Sequence, residues 1–289
     1  MKAHVIGAGL AGLAAAVALT RAGCRVTLSE SGKQAGGRCR SYRDPQLGVV
    51  IDNGNHLVLS GNRGVRDYLA AIGASDRLAG PDEAAFAFMD LRDGARWTLR
   101  PNGGPVPWWI FAARRRVPGT GPRDYLAVAR LARAAPGLAI GEVIPTQGPL
   151  WDRLLDNFLV SALNTPAATG SAALAGAVVR ETLARGGAAC RPLIATPTLA
   201  AAFVDPALDW LGRHGATVRL DRRLRELAIA DGRVVALDFG DGAEPVAAGE
   251  AVVLAVPAWT AAALLPGLTV PDRHHALVNG HFLHPAPVR

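Results

Sequence analysis

Residues 1–30, MKAHVIGAGLAGLAAAVALTRAGCRVTLSE, decide the fold. His4-Val5-Ile6 reads as a short buried strand, Leu10 to Ala22 as a helix of small apolar residues, and Arg25 to Glu30 as a second strand. Gly7, Gly9 and Gly12 lie between the first strand and the body of the helix. Glycine there costs backbone entropy, so three at this spacing imply a close approach to the main chain. Gly7 allows a tight turn. Gly9, with Leu10 and Ala11 opening the helix, lets a pyrophosphate reach backbone N–H groups, and Gly12 lets the helix lie against the strand. Glu30 closes the second strand, where a carboxylate accepts hydrogen bonds from a ribose and disfavours a 2′-phosphate. A glycine turn inside an ordinary α/β core would need no such acid. The fold class read from this stretch is α/β, with a Rossmann-type βαβ unit.

Beyond Glu30 the chain runs SGKQAGGRCRSY, a polar loop where a plain nicotinamide domain would enter a second crossover helix. Gly36-Gly37-Arg38 in this loop offers a second close backbone approach and a fixed cation for a phosphate. Taken alone, such a triplet is a common loop. Asp52-Asn53-Gly54-Asn55-His56 follows an apolar strand and reads by itself as a β-turn with a solvent histidine.

Composition narrows the class. Half of the 289 residues are hydrophobic and the formal charge is +7. Lys2 and Lys33 are the only lysines, and the longest basic run is Arg114-Arg115-Arg116, so the basicity reads as arginine-rich composition and no nucleic-acid partner is expected. Cys24, Cys39 and Cys190 show neither CxxC spacing nor a histidine at ligand spacing, so no metal site and no disulfide framework is expected. His274, His275, His281 and His284 cluster without a completing carboxylate or thiol. Arg21, Arg25 and the glycines interrupt the apolar N-terminus, which reads as neither a secretory signal nor a membrane span. The expected location is cytoplasmic.

Further along, Gly64 to Ile72 has the pattern of an amphipathic helix, and residues 84–100 that of a hairpin turning at Asp93-Gly94. PVPWWIFAARRR, within a Pro- and Gly-rich stretch over 101–122, should carry Trp108, Trp109 and Phe111 exposed or lining a cavity. Its aromatic and basic makeup suits a peripheral contact at the inner membrane surface; a surface loop with two packed tryptophans remains equally open. Helical patterns follow near 123–135, 150–163, 171–185 and 198–214. Then come a strand around Val218, a two-stranded ribbon turning at Asp231-Gly232, and the apolar strand AVVLAVP at 251–257.

Glu30 together with Gly36-Gly37-Arg38 resembles the extended fingerprint of the flavin-binding amine oxidase and phytoene desaturase superfamily. That resemblance implies FAD rather than a nicotinamide. It places Gly54 against the flavin, with Asn55 and His56 beside it, and Val218 on a strand whose backbone contacts the adenine. Residues 155–187 and 203–220, with Ala162-Leu163-Asn164-Thr165-Pro166, Arg180-Glu181 and Pro206 to Leu211, further resemble the squalene-associated FAD-dependent desaturases, the hydroxysqualene dehydroxylases. The implied activity is reductive dehydroxylation of hydroxysqualene to squalene, on a long-chain isoprenoid substrate. The implied layout is an FAD-binding domain of residues 1–75 and 216–289 around a mixed α+β substrate domain of residues 76–215.

Members of that family run well past VNGHFLHPAPVR, so the C-terminal part reads as incomplete. A phytoene or carotenoid desaturase shares the nucleotide motifs, and a truncated non-catalytic fragment is the alternative from another class. An NAD-dependent dehydrogenase leaves Gly36-Gly37-Arg38 without a role. No residue declares itself as a catalytic acid or base.

Overall fold

The computed structural model describes residues 1–54 and 56–285. Along the chain, β1 (Lys2–Ile6), α1 (Leu10–Arg21) and β2 (Arg25–Ser29) are followed by β3 (Ser41–Arg43), β4 (Val50–Asp52), β5 (Val58–Leu59), α2 (Arg63–Ile72) and β6 (Leu78–Ala79). A hairpin, β7 (Phe86–Met89) and β8 (Arg96–Leu99), leads to α3 (Leu126–Leu131), α4 (Ile140–Val143), α5 (Asp156–Leu163) and α6 (Ala172–Glu181). The remainder is β9 (Pro192–Ala195), α7 (Asp205–Arg213), β10 (Thr217–Arg219), β11 (Glu226–Ala230), β12 (Arg233–Asp238), β13 (Ala243–Pro245), β14 (Ala251–Leu254) and α8 (Ala258–Leu264). Among the described residues no helix is long and apolar enough to cross a membrane.

The chain divides into two compact units. The first comprises residues 1–56, 65–78 and 195–289, and is built on a parallel sheet in the order β10-β2-β1-β14. Central β1 is paired on both edges, so Ala3, His4, Val5 and Ile6 are all buried. The one polar member is satisfied: His4 Nε2 lies 2.9 Å from Glu250 Oε2. α1 buries Gly12, Leu13, Ala16 and Val17, a single face at helical spacing, against the sheet. α7 packs on the same helix. Just before α7, Ala200–Val204 forms a π-helical turn. Pro206 supplies the reason, because it lacks an N–H and crowds the preceding turn, so the helix widens upstream of it. A three-stranded antiparallel sheet, β11-β12-β13, closes a second cluster of Ile6, Leu227, Leu237, Phe239 and Leu264. The expected two-stranded ribbon therefore gains a third strand, β13, which the polar, glycine-broken sequence around it conceals.

The second unit comprises residues 57–64 and 79–194. Its core gathers Trp109, Val117, Tyr125, Leu131, Ile140, Trp151, Leu154 and Leu159, with α3, α4, α5 and α6 contributing around the β7–β8 hairpin. The expected border at 215 and the observed one at 194/195 differ by one helical segment, residues 195–215. That segment joins the first unit because its N-terminal amides are bound there: Leu199 N donates to Asp52 Oδ1 at 3.0 Å and Ala200 N to Ser41 Oγ at 2.9 Å.

Candidate dinucleotide site

The turn after β1 is built as its glycines require. Gly7 has φ +101°, and a Cβ there would lie 2.5 Å from Ala255 O. A Cβ on Gly12 would lie 1.7 Å from Gly7 O, so the first turn of α1 sits directly on the loop. Gly9 differs from both. Its φ is −71°, and a Cβ on it would meet open space. α1 has neither a side-chain cap nor an acid in its first turn, so no side chain of its own answers the amides at Leu10 and Ala11.

The second glycine loop is stitched onto the first. Gly36 N donates to Ala8 O at 2.8 Å, Gly9 and Gly36 form a parallel bridge, and a Cβ on Gly37 would stand 3.3 Å from Gly9 Cα. Gly36 and Gly37 both take positive φ, +103° and +54°. Arg38 follows on the surface, and its guanidinium has no partner among the described residues.

Glu30 sits where β2 ends. Its Oε2 accepts from Ala8 N at 2.7 Å, and its Oε1 accepts from Gly32 N at 2.8 Å and Ser31 Oγ at 3.1 Å. These bonds fix the carboxylate at the mouth of the glycine turn and leave further lone pairs free to accept. β10 runs beside it: Val218 is in register with Leu28, and Arg219 O accepts from Glu30 N at 2.8 Å. Thus Gly7 through Gly12, Glu30, Gly36-Gly37-Arg38 and Val218, distant in sequence, converge at the same ends of β1, β2 and β10. Gly54 is buried, with His56 Nε2 3.3 Å from where its Cβ would be, and His56 is exposed. Asn55 lies outside the described residues.

Two features were not legible beforehand. Ser41 Oγ donates to Asp52 Oδ1 at 2.5 Å, so the aspartate of the expected flavin-side turn is engaged with Ser41 and the Leu199 amide. Next to it, burial and then the Asp52 charge push the Cys39 thiol up to about 11, and burial also raises the Tyr68 hydroxyl, which donates to Phe203 O at 2.7 Å. A Ser and an Asp eleven residues apart carry no pattern in sequence; only the β3–β4 pairing of Ser41 with Asp52 brings them together. Asp221, in the left-handed region at φ +54°, is the other: its N–H reaches Gly32 O, and Arg222 N reaches Glu30 O, bracing the loop that carries the carboxylate.

The residues present fit a dinucleotide pyrophosphate: a cradle that a Cβ at Gly9 would fill, an uncapped helix N-terminus, an unpaired arginine and a fixed carboxylate. The model for the flavin-containing amine oxidoreductases matches residues 10–286. The chain belongs to that family. A hydroxysqualene dehydroxylase of Zymomonas mobilis is 49% identical over 280 residues, covering 97% of this chain and 68% of that protein. Another, from Rhodopseudomonas palustris, is 52% identical over 286 residues, covering 98% of this chain and 68% of the relative. Within the family the chain groups with these dehydroxylases. Among solved structures, an oxidoreductase from Methanosarcina mazei superposes with a TM-score of 0.67 at 17% identity, covering 93% of this chain and 62% of that one. A protein described as a protoporphyrinogen oxidase, from Exiguobacterium, gives 0.57 at 22% identity, covering 94% of this chain and 62% of that one. At those identities the likeness is one of fold, and it agrees with the α/β reading.

One sequence expectation needs correction in the second unit. Trp109 is not exposed but packed: it is 6% exposed and sits edge-to-face on Tyr125 at 5.1 Å, as a flat apolar ring beside a core tyrosine would. One cavity of that unit, about 350 Å³, is lined by Asp90, Arg92, Asp93, Asp152 and Arg153 together with Pro118, Gly119 and Pro149. There the bidentate Arg92 contact, with Arg153 nearby, holds the Asp90 carboxyl down at about 2.

Proposed function

We propose that the chain binds FAD through Gly7, Gly9, Leu10, Ala11, Gly12, Glu30 and Gly36-Gly37-Arg38, and acts as a hydroxysqualene dehydroxylase. The observation that carries this reading is identity of about one half to hydroxysqualene dehydroxylases along nearly the whole chain. The glycine cradle supplies its physical counterpart. In this assignment the α1 amides and Arg38 take the pyrophosphate, Glu30 takes the ribose hydroxyls, and the backbone of β10 at Val218 borders the adenine. Gly54 and His56 border the flavin ring.

When bound, reduced FAD would supply the hydride for such a dehydroxylation at the allylic carbon, in which the hydroxyl leaves with one proton as water and squalene is the product. The protein's share is to orient an apolar chain and exclude water where positive charge develops. We assign the first unit to the cofactor and the second to the isoprenoid. The lipid character of such a substrate suits a protein resting at the cytoplasmic face of a membrane.

The test is product analysis. Purified chain with FAD and a chemical reductant should convert hydroxysqualene to squalene and leave phytoene unchanged. Desaturation of phytoene under oxidising conditions, with hydroxysqualene returned intact, would replace the dehydroxylase reading by that of a carotenoid desaturase.

A further inference from the structure

The positive charge of the chain is not spread over it. Residues 95–141 contain eight arginines and one aspartate, an excess equal to the +7 of all 289 residues, so the rest of the molecule is balanced. The balance elsewhere is visible as pairing. Lys2 meets Glu250, Arg92 and Arg153 meet Asp90, and Arg219 and Arg222 share Glu244. Within residues 95–141 the single acid, Asp124, is occupied by the Gly121 amide at 2.7 Å. Arg96, Arg100, Arg114, Arg123, Arg130 and Arg133 are exposed, with no side-chain partner among the described residues.

The same segment holds apolar side chains out in water. Val106, Trp108 and Phe111 are 71%, 51% and 71% exposed. This is not the mark of a slack loop. Trp109 anchors it in the core of the second unit, Asn102 Nδ2 donates to Val106 O at 2.9 Å, and Arg116 Nη1 donates to Ile110 O at 2.8 Å. Arg115 stacks over the Trp108 ring at 4.7 Å while its Nε donates to Arg100 O. Nearby, a groove of about 220 Å³ sets Arg123, Asp124 and Arg130 beside Leu126, Leu150, Trp151 and Leu155. Two cations, with an acid held by the Gly121 amide, thus rim a largely apolar floor.

We propose that residues 95–141 form a docking face for an anionic phospholipid surface, the unpaired arginines meeting headgroup phosphates and Val106, Trp108 and Phe111 entering the acyl boundary. Charge complementarity argues for an anionic partner, and the rigidly presented apolar tips argue for a lipid one. A nucleic acid would use the arginines and leave Val106 and Phe111 in water. The proposal deepens the isoprenoid reading, since it gives an apolar substrate a route of entry, but nothing in it depends on flavin.

Co-sedimentation of the intact chain with vesicles tests it. The chain should bind phosphatidylcholine vesicles carrying about 30% phosphatidylglycerol, release as salt rises, and ignore vesicles of phosphatidylcholine alone. R114Q/R123Q/R130Q should weaken binding about 100-fold. W108A/F111A should also weaken it and leave a remainder that salt abolishes. Circular dichroism checks folding, and the single variant R133Q, at an exposed site, serves if the triple variant is unstable. Equal binding to both vesicle types, an unaltered triple variant, or W108A/F111A matching the parent would overturn the proposal; the last, with duplex DNA competing, would make the face a nucleic-acid site. Flavin uptake, followed by absorbance, should be unchanged in every variant. A chain that binds lipid but never flavin would therefore sink the cofactor reading alone.

Discussion

Gly7, Gly9 and Gly12 share a motif but not a reason. Gly7 and Gly12 are required by the protein's own backbone, since a Cβ on either would sit well inside van der Waals contact distance of a carbonyl oxygen. Gly9 is required by nothing the protein contains. The two kinds of glycine should separate by experiment. Gly12→Ala should lose cooperative thermal unfolding or lower its midpoint sharply, whereas Gly9→Ala should unfold like the parent yet bind FAD about 10- to 100-fold more weakly, as blocked charge-assisted bonds would cost. Equal FAD affinity of Gly9→Ala and the parent would remove the cradle from the argument. The tight turn was readable in sequence because the spacing encodes it. The place of Glu30 at the end of β2 was readable likewise. Its bonds to Ala8 and Gly32 were not, because they depend on how the loop after β2 folds back.

At the scale of elements, the βαβ unit, α2, the β7–β8 hairpin and helices α3, α5 and α6 of the second unit follow periodicity and turn chemistry, and the sequence reading places them within a few residues, while the four-residue α4 was not read. What periodicity cannot carry is which unit an element joins. The helix that ends at Arg213 looks in sequence like the last of a helical block, but Ser41 and Asp52 hold its first amides and α1 holds its flank. Those amides have no partner from their own helix, so removing the side chains that serve them costs stability. Ser41→Ala or Asp52→Asn should each lower stability by about 1–2 kcal/mol in denaturant titration, leaving the second unit's core intact. A change within error would mean that water serves these amides equally well.

For the whole molecule, two compact units share one chain that crosses between them several times, and the comparisons with known proteins agree with an α/β flavoprotein fold spanning about two thirds of the length of the relatives matched. Overall charge was legible as a sum from the start, yet its meaning lay in its distribution: an arginine-rich total reads as composition until residues 95–141 are seen to hold all of the excess, six of their eight arginines having no side-chain partner among the described residues. The central claim is that the two glycine loops, Glu30 and Arg38 form a working FAD cradle in this chain. The measurement that tests it most directly is an absorption spectrum of the purified chain after FAD is added and the free flavin is removed by desalting. A retained flavin band near ~450 nm, close to that of free flavin and lost in Gly9→Ala, is the predicted result. Colourless protein that is still folded by circular dichroism would contradict it.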